Sequence, residues 1–593
     1  MNYMKRYNKW LSSPHLSEEA KAELRSIKDD KDEIQDRFYK DLEFGTGGMR
    51  GKIAMGTNRM NIYTVGKSTQ GLANYLLARV ENAQRKGVVI AHDPRHKSRE
   101  FSERVACVLA ANGIKAYLFD GIRPTPELSF AVREIGAAAG IVVTASHNPP
   151  DYNGYKVYGE NGAQILPEVA DQIIEQINSL ADDAKIKIIT EKEAREKNLL
   201  KTIGSNIDHI YYEKVKALSL SKLIDKDIKI VYTPLHGTGN IPIRTILEEM
   251  EYSNIYVDEV QAQPDPEFST VKSPNPENSA AFARAAQLGR KVDADILIAT
   301  DPDCDRVALA LKKNTPSLPE NKTNESISSP AETEDDYIYL NGNQTGALLL
   351  DYILKIRQQI GQLPANGFVI KTIVTSEMGR TIAKHYGIPT YDTLTGFKFI
   401  CNFAEELEKK GGTFLFGYEE SIGYLTGSFV RDKDAVISAM LIAEMAAYYK
   451  KQGITLWDAL QKLYQRHGYY LEFLKSIFLE GMEGEQQMDK IMAALREEFP
   501  EIPDMPIAQK IDYQTSLKYD YINYQKEIID ISKSDVLKCV FADGSWYAIR
   551  PSGTEPKIKT YMSFVGKDRQ EARQKLNKVK SIVFERINQI IQS

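Results

Sequence analysis

Cysteine is scarce in this chain. The four residues, Cys107, Cys304, Cys401 and Cys539, stand far apart with no CxxC pair, so neither a zinc site nor a disulfide framework is indicated. No uninterrupted apolar run reaches a membrane span of about 18 residues. The most apolar stretch, Val436 to Tyr449, is broken by Ser438 and Glu444. Basic residues are not in excess: 76 Lys and Arg face 81 Asp and Glu, a formal net charge of −5, which argues against a dedicated nucleic-acid binder. The N-terminus is charged, but no apolar core follows it, so no secretory signal is read. Three N-x-S/T sequons, at Asn321, Asn324 and Asn343, therefore carry no weight, and a reducing, cytoplasmic setting without nucleic-acid or membrane partners is expected.

At 593 residues the chain exceeds what one core supports, and three to five domains are expected. The first 40 or so residues read as charged helices, with Ser17 capping a turn that opens on Glu18 and Glu19. Three segments then repeat a strand, polar turn, amphipathic helix, break and strand, beginning at Val88, Ile228 and Phe368. Their equal spacing predicts one α/β architecture repeated in tandem. Later in each copy an apolar run ends abruptly in polar residues: GIVVTASHNP from Gly140, DILIATDPDCD from Asp295 and TFLFGYEES from Thr413. Ligands gather at the carboxyl ends of strands in α/β folds, so three loops aimed at one shared cleft are expected, with ordinary strand-to-helix turns as the alternative. Residues 312–336 read as a flexible insertion. A fourth part, of α+β type, has a helix around Glu483 to Glu498, a polar region through Tyr524, a β-rich segment and a final helix from about Asp568.

The loops differ in chemistry. TASHNPPDYNGYK, from Thr144, puts Ser146 at a strand tip beside His147. Such a hydroxyl serves as a nucleophile or phosphate carrier, or else belongs to a capped turn, and the glycines of a hydrolase elbow are missing. DPDCDR places Asp301, Asp303 and Asp305 at alternate positions, a hard-oxygen set suited to a divalent cation such as Mg²⁺; three like charges in a merely solvated turn would repel. GYEES offers Glu419, Glu420 and Ser421 for sugar hydroxyls, though a Glu pair is equally a helix first turn. RPSGTEPKIK combines Arg550, Ser552, Gly553, Thr554, Lys557 and Lys559, either a phosphate site or a Pro and Gly turn with surface lysines. FGTGGMRG has the wrong glycine spacing for a dinucleotide fingerprint and no clear strand before it, and reads as a flexible loop carrying Arg50 towards an anion. TGFKF contributes Lys398.

Taken in order, TASHNP, DxDxDR, GYEES and RPSGTEP resemble the α-D-phosphohexomutase superfamily of phosphoglucomutases and phosphomannomutases, from about Phe44 to about Tyr561. The chain's length, N-terminal extension and GYEESIGY are most similar to its bacterial phosphoglucomutase and phosphopentomutase branch. The resemblance implies three α/β domains with mixed sheets and a smaller α+β domain: residues 1–205, 206–335, 336–470 and 471–593, with the active site in a central cleft gated by the fourth. It implies that Ser146 carries a phosphoryl group and binds Mg²⁺ with Asp301, Asp303 and Asp305. Arg50, His147, Lys156, Arg306 and Lys398 would surround the transferring group or move its proton. Glu419 and Ser421 would bind sugar hydroxyls, and Arg550, Ser552, Gly553, Thr554 and Lys559 the phosphate that stays. The implied reaction interconverts glucose 1-phosphate and glucose 6-phosphate through glucose 1,6-bisphosphate, in a monomer or homodimer. Pentose and mannose phosphates are the alternative substrates; a noncatalytic phosphosugar binder and a metal-dependent phosphatase are the alternative classes.

Overall fold

The computed structural model describes residues 2–180, 186–313, 336–479, 481–552 and 557–592. Most of the expected insertion, 314–335, lies outside them, as do Gly553 and Thr554 of the phosphate loop. The chain forms two compact units: Met1–Lys312 with Phe397–Glu406 and Gly423–Ala447, and Lys313–Gly396 with Leu407–Ile422 and Tyr448–Ser593.

The tandem repeat is realised strand for strand. In the first copy Val88–His92 pairs in parallel with Ala116–Phe119 on one side and Ala139–Val143 on the other. In the second, Lys229–Thr233 lies parallel to Asn254–Val257 and to Ile296–Thr300. In the third, Gly367–Thr372 lies parallel to Thr390–Thr393 and to Thr413–Glu419. The central strands are apolar because they are covered on both faces; Val88–His92 and Ile296–Thr300 are buried throughout. Antiparallel neighbours make the sheets mixed: Tyr152–Gly159 follows Ala139–Val143, and Val307–Lys312 follows Ile296–Thr300. Among the described residues no helix is long and apolar enough to cross a membrane; Ala435–Lys451 is instead a core helix, with Glu444 accepting from the Leu220 and Ser221 amides.

The C-terminal part is an antiparallel seven-stranded sheet running from Tyr469–Phe478 to Gln525–Ile528, packed by the helices Gly481–Glu497 and Arg569–Gln592. Near the N-terminus, Ser17 accepts from the Ala20 amide and starts the helix Glu18–Ser26.

Two expectations need correction. The polar region before Tyr524 contains the strands Ile507–Asp512 and Leu517–Asp520. Most of their residues are only half-buried, so Gln509, Lys510, Lys518 and Asp520 can stand in them and hide the apolar pattern. The FGTGGMRG segment is a β-hairpin, Phe44–Gly45 against Gly48–Lys52, not a loop. Gly48 has φ +139, and a Cβ there would fall 1.9 Å from the Tyr155 carbonyl oxygen. Its glycines serve this close approach, and strand pairing sets Arg50 opposite Gly154.

Candidate active site

The strand Ala139–Val143 delivers Ser146 and the strand Ile296–Thr300 delivers the acidic loop. The two loops meet: Ser146 Oγ donates to Asp301 Oδ2 at 2.6 Å. Ser146 is buried and has φ +52, a left-handed conformation that costs a non-glycine residue about 1–2 kcal/mol. Its amide donates to Thr144 Oγ1 at 2.8 Å, and His147 Nδ1 lies 3.1 Å from its hydroxyl. Enclosure, with the neighbouring Arg306 and Arg50 charges, holds the His147 imidazole well below its usual range, so the ring is neutral beside the hydroxyl.

Asp301, Asp303 and Asp305 are buried and each brings a carboxylate oxygen within 4.8 Å of the others. Asp301 accepts through Oδ1 from the Asp305 and Arg306 amides. Asp303 Oδ2 accepts from Lys156 at 2.7 Å and from Thr125 Oγ1 at 2.9 Å. Asp305 Oδ2 lies 3.1 Å from Lys433 Nζ and 3.3 Å from Lys156 Nζ. The second oxygens of Asp303 and Asp305 are buried and accept no hydrogen bond. Burial, then the two neighbouring carboxylates, raise Asp301 well above the usual range. Burial also works against Asp303, but Lys156 overrides it and pulls that carboxyl down. Two buried oxygens that accept no hydrogen bond, and one carboxyl raised by burial and by its neighbours' charge, are what a bound divalent cation relieves, and the donor set fits a hard cation.

Cationic groups surround this pair of loops. Arg50 donates to Asn148 Oδ1 at 2.8 Å. Arg306 Nε lies 3.8 Å from Asp305 Oδ1. Lys398, in the first turn of the helix Phe397–Lys409, donates to the Thr46 carbonyl at 2.5 Å, on the hairpin that carries Arg50. Burial lowers Lys398 to about 8.

The remaining candidates belong to the other unit. Glu419 ends its strand, is 5 % exposed and accepts from the Gly396 amide at 2.7 Å. Its neighbour Glu420 accepts from Thr375 Oγ1 at 2.9 Å, and half-buried Ser421 follows. Arg550 and Lys559 face each other across paired strands, and the Ser552 amide donates to the Lys557 carbonyl. Tyr561 is pushed up to about 12 by burial and feels the charges of Arg550, Glu420 and Glu419, which brings the expected sugar and phosphate loops into one electrostatic neighbourhood.

Sequence reasoning passed over Thr125, Lys433 and Arg95. Arg95 had a signal, since HDPRHKS ends an apolar strand as the reactive loops do. Thr125 and Lys433 had none, because their partners are distant in sequence.

Four family models match in order: phosphoglucomutase/phosphomannomutase α/β/α domain I over residues 41–184, domain II over 209–314, domain III over 341–467 and the C-terminal domain over 481–577. A phosphoglucomutase of Staphylococcus haemolyticus (strain JCSC1435) is 38% identical over 528 residues, 89% of this chain and 91% of that one. One from Staphylococcus aureus (strain bovine RF122 / ET3-1) is 38% identical over 546 residues, 92% and 93% of the two chains. An X-ray structure of a phosphoglucomutase/phosphomannomutase family protein from Burkholderia thailandensis shares the fold, with TM-score 0.64 and 16% identity over 93% of this chain and 97% of that one. The chain belongs to the phosphoglucomutase/phosphomannomutase family and is an enzyme of the intramolecular phosphotransferase class.

Proposed function

We propose that the chain is a phosphoglucomutase, interconverting glucose 1-phosphate and glucose 6-phosphate by way of a phosphorylated Ser146 and glucose 1,6-bisphosphate. The observation that carries this reading is the buried Ser146 hydroxyl, 2.6 Å from a carboxylate of the acidic trio. Asp301, Asp303, Asp305 and Ser146 would hold Mg²⁺, which when bound offsets the charge of the phosphorylated serine. In the first transfer the bond from Ser146 Oγ to phosphorus breaks as a bond from the free sugar hydroxyl to phosphorus forms; that hydroxyl gives up a proton and Ser146 Oγ takes one up, leaving a serine hydroxyl. The second transfer reverses this with the other phosphate. Positioning and charge stabilisation do most of this work, and Arg50, Arg306, Lys156 and Lys398 are the cations assigned to it, with neutral His147 beside the serine oxygen. Glu419 and Ser421 are assigned to sugar hydroxyls, and Arg550, Ser552, Gly553, Thr554 and Lys559 to the phosphate that stays.

We assign these functions to four domains, 1–205, 206–335, 336–470 and 471–593. We infer a cytoplasmic enzyme acting on a small phosphosugar, as a monomer or homodimer.

The test is an isomerase assay on glucose 1-phosphate, mannose 1-phosphate and ribose 1-phosphate, with glucose 1,6-bisphosphate added, beside Ser146→Ala. Glucose 1-phosphate should turn over best, and Ser146→Ala should be inactive. A competent Ser146→Ala enzyme, or release of inorganic phosphate in place of an isomer, refutes the mechanism. Preferential turnover of ribose 1-phosphate makes the enzyme a phosphopentomutase.

A further inference from the structure

Ser146 does not hold its left-handed conformation unaided. Arg95 is 3 % exposed and lies just past the strand Val88–His92, next to the strand that delivers the serine. Its guanidinium spans the reactive loop, donating to the carbonyls of Ser146 and Asn148 at 2.5 Å each, of Pro149 at 2.7 Å and of Tyr152 at 3.2 Å. Its Nε lies 3.2 Å from Asp93 Oδ2.

Asp93 closes the circuit. Its Oδ2 accepts from Thr144 Oγ1 at 2.7 Å, and Thr144 Oγ1 accepts the Ser146 amide. Its Oδ1 accepts from Ser98 Oγ and from the Arg95 amide. The loop is thus held on both sides of Ser146, through the amide by Thr144 and through the carbonyls by Arg95. The Phe268 ring covers the guanidinium, 4.8 Å from its centre, which keeps water from competing for those carbonyls.

We propose that Arg95 is a positioning residue of the mutase reaction, locking the loop in the one conformation from which the Ser146 hydroxyl meets Asp301. The inference rests on the reading of Ser146 as the phosphoryl carrier. Arg95 spends its donors on carbonyls of the loop, so it acts on where the oxygen sits and not on the chemistry of the phosphoryl group. Lysine keeps the charge that pairs with Asp93 but cannot reach four carbonyls with a planar fork.

The experiment uses the full chain. Enzyme phosphorylated by glucose 1,6-bisphosphate is mixed with excess glucose 1-phosphate, quenched, and the phosphorylated Ser146 peptide is quantified by mass spectrometry over time. Displacement of a reacting atom by an ångström lowers rates by about 100-fold, and Arg95→Lys should slow the single turnover by about that factor while leaving KM little changed. Arg95→Lys that is folded by circular dichroism and thermal unfolding, yet transfers at the wild-type rate, overturns the proposal. Should that variant not fold, Asp93→Asn removes the negative charge beside the Arg95 guanidinium and leaves one acceptor oxygen where the carboxylate had two, and an unchanged single turnover there overturns it equally. Wild-type enzyme that never carries phosphate on Ser146 instead refutes the underlying reading.

Discussion

Thr125→Val removes one hydrogen bond and almost no volume, and its consequences follow from where that bond ends. Thr125 is fully buried and begins the helix Thr125–Ile135. Its amide donates to the Asp303 carbonyl at 2.9 Å and its hydroxyl to Asp303 Oδ2, also at 2.9 Å. Valine keeps the first bond and loses the second, whose acceptor is a charged carboxylate, so the fold should lose about 1.5–3 kcal/mol. The same bond fixes which Asp303 oxygen remains available: Oδ2 is taken by Thr125 and Lys156, and Oδ1 is left without a donor. Loosening a supporting contact of this kind weakens metal binding by about 10- to 100-fold. The assay is the Mg²⁺ concentration needed for half-maximal mutase rate, with direct Mn²⁺ binding followed by electron paramagnetic resonance. Thr125→Ser, which keeps a hydroxyl, should restore both readings. A variant that loses stability but binds and uses the cation as the wild type does would show that Thr125 only braces the fold, and would refute the reasoning.

Lys398, lowered by burial to about 8, is cationic below that pH and neutral above it. The mutase rate should therefore fall as pH rises through about 8, and Lys398→Arg should move that limb to higher pH in a kcat/KM profile. Glu472 is raised by burial from 4.5 to about 7, so the folded state favours its neutral form. Its contribution to stability is complete below about pH 4.5 and is lost as pH rises through about 7. Denaturant unfolding of Glu472→Gln should show a flatter dependence on pH across that window; an unchanged slope contradicts the assignment. Gly48→Ala sets a methyl against the Tyr155 carbonyl at φ +139, and should destabilise the hairpin bearing Arg50 by at least about 2 kcal/mol, read as a lowered unfolding midpoint together with a lower kcat.

The repeat was legible because its central strands are buried on both faces and so read as continuous apolar runs, from Val88, Ile228 and Phe368. The candidate loops were read where the later apolar runs, from Gly140, Asp295 and Thr413, stop abruptly. Edge structure was not. The strand Leu517–Asp520 is half-buried and charged, the edge strand Gln525–Ile528 is exposed throughout, and Gly48–Lys52 is written in glycines that elsewhere would break a strand. Contacts that join distant segments leave no periodic trace either: Thr125 meets Asp303, and Lys433 meets Asp305, only after two α/β domains have formed.

One regularity could have been read from the repeat itself. In each copy the chemistry was sought in the loop after the last of three parallel strands, yet the loop after the first strand supports it. Arg95 follows Val88–His92 and holds the Ser146 loop. Thr238 follows Lys229–Thr233, and its amide donates to the Pro302 carbonyl in the acidic loop at 2.8 Å. Thr375 follows Gly367–Thr372, and its hydroxyl donates to Glu420 in the GYEES loop. The reason is topological, since the first strand lies beside the third in every sheet and their carboxyl ends emerge side by side. A reactive loop with a strained residue, such as Ser146 at φ +52 or Cys304 at φ +54, needs a partner within hydrogen-bonding reach, and the adjacent strand end is the nearest backbone that can supply one. Substitutions in the first loops that remove a side-chain donor, at Arg95 or Thr375, should therefore act on the reaction through the second loops, and lower kcat more than they raise KM.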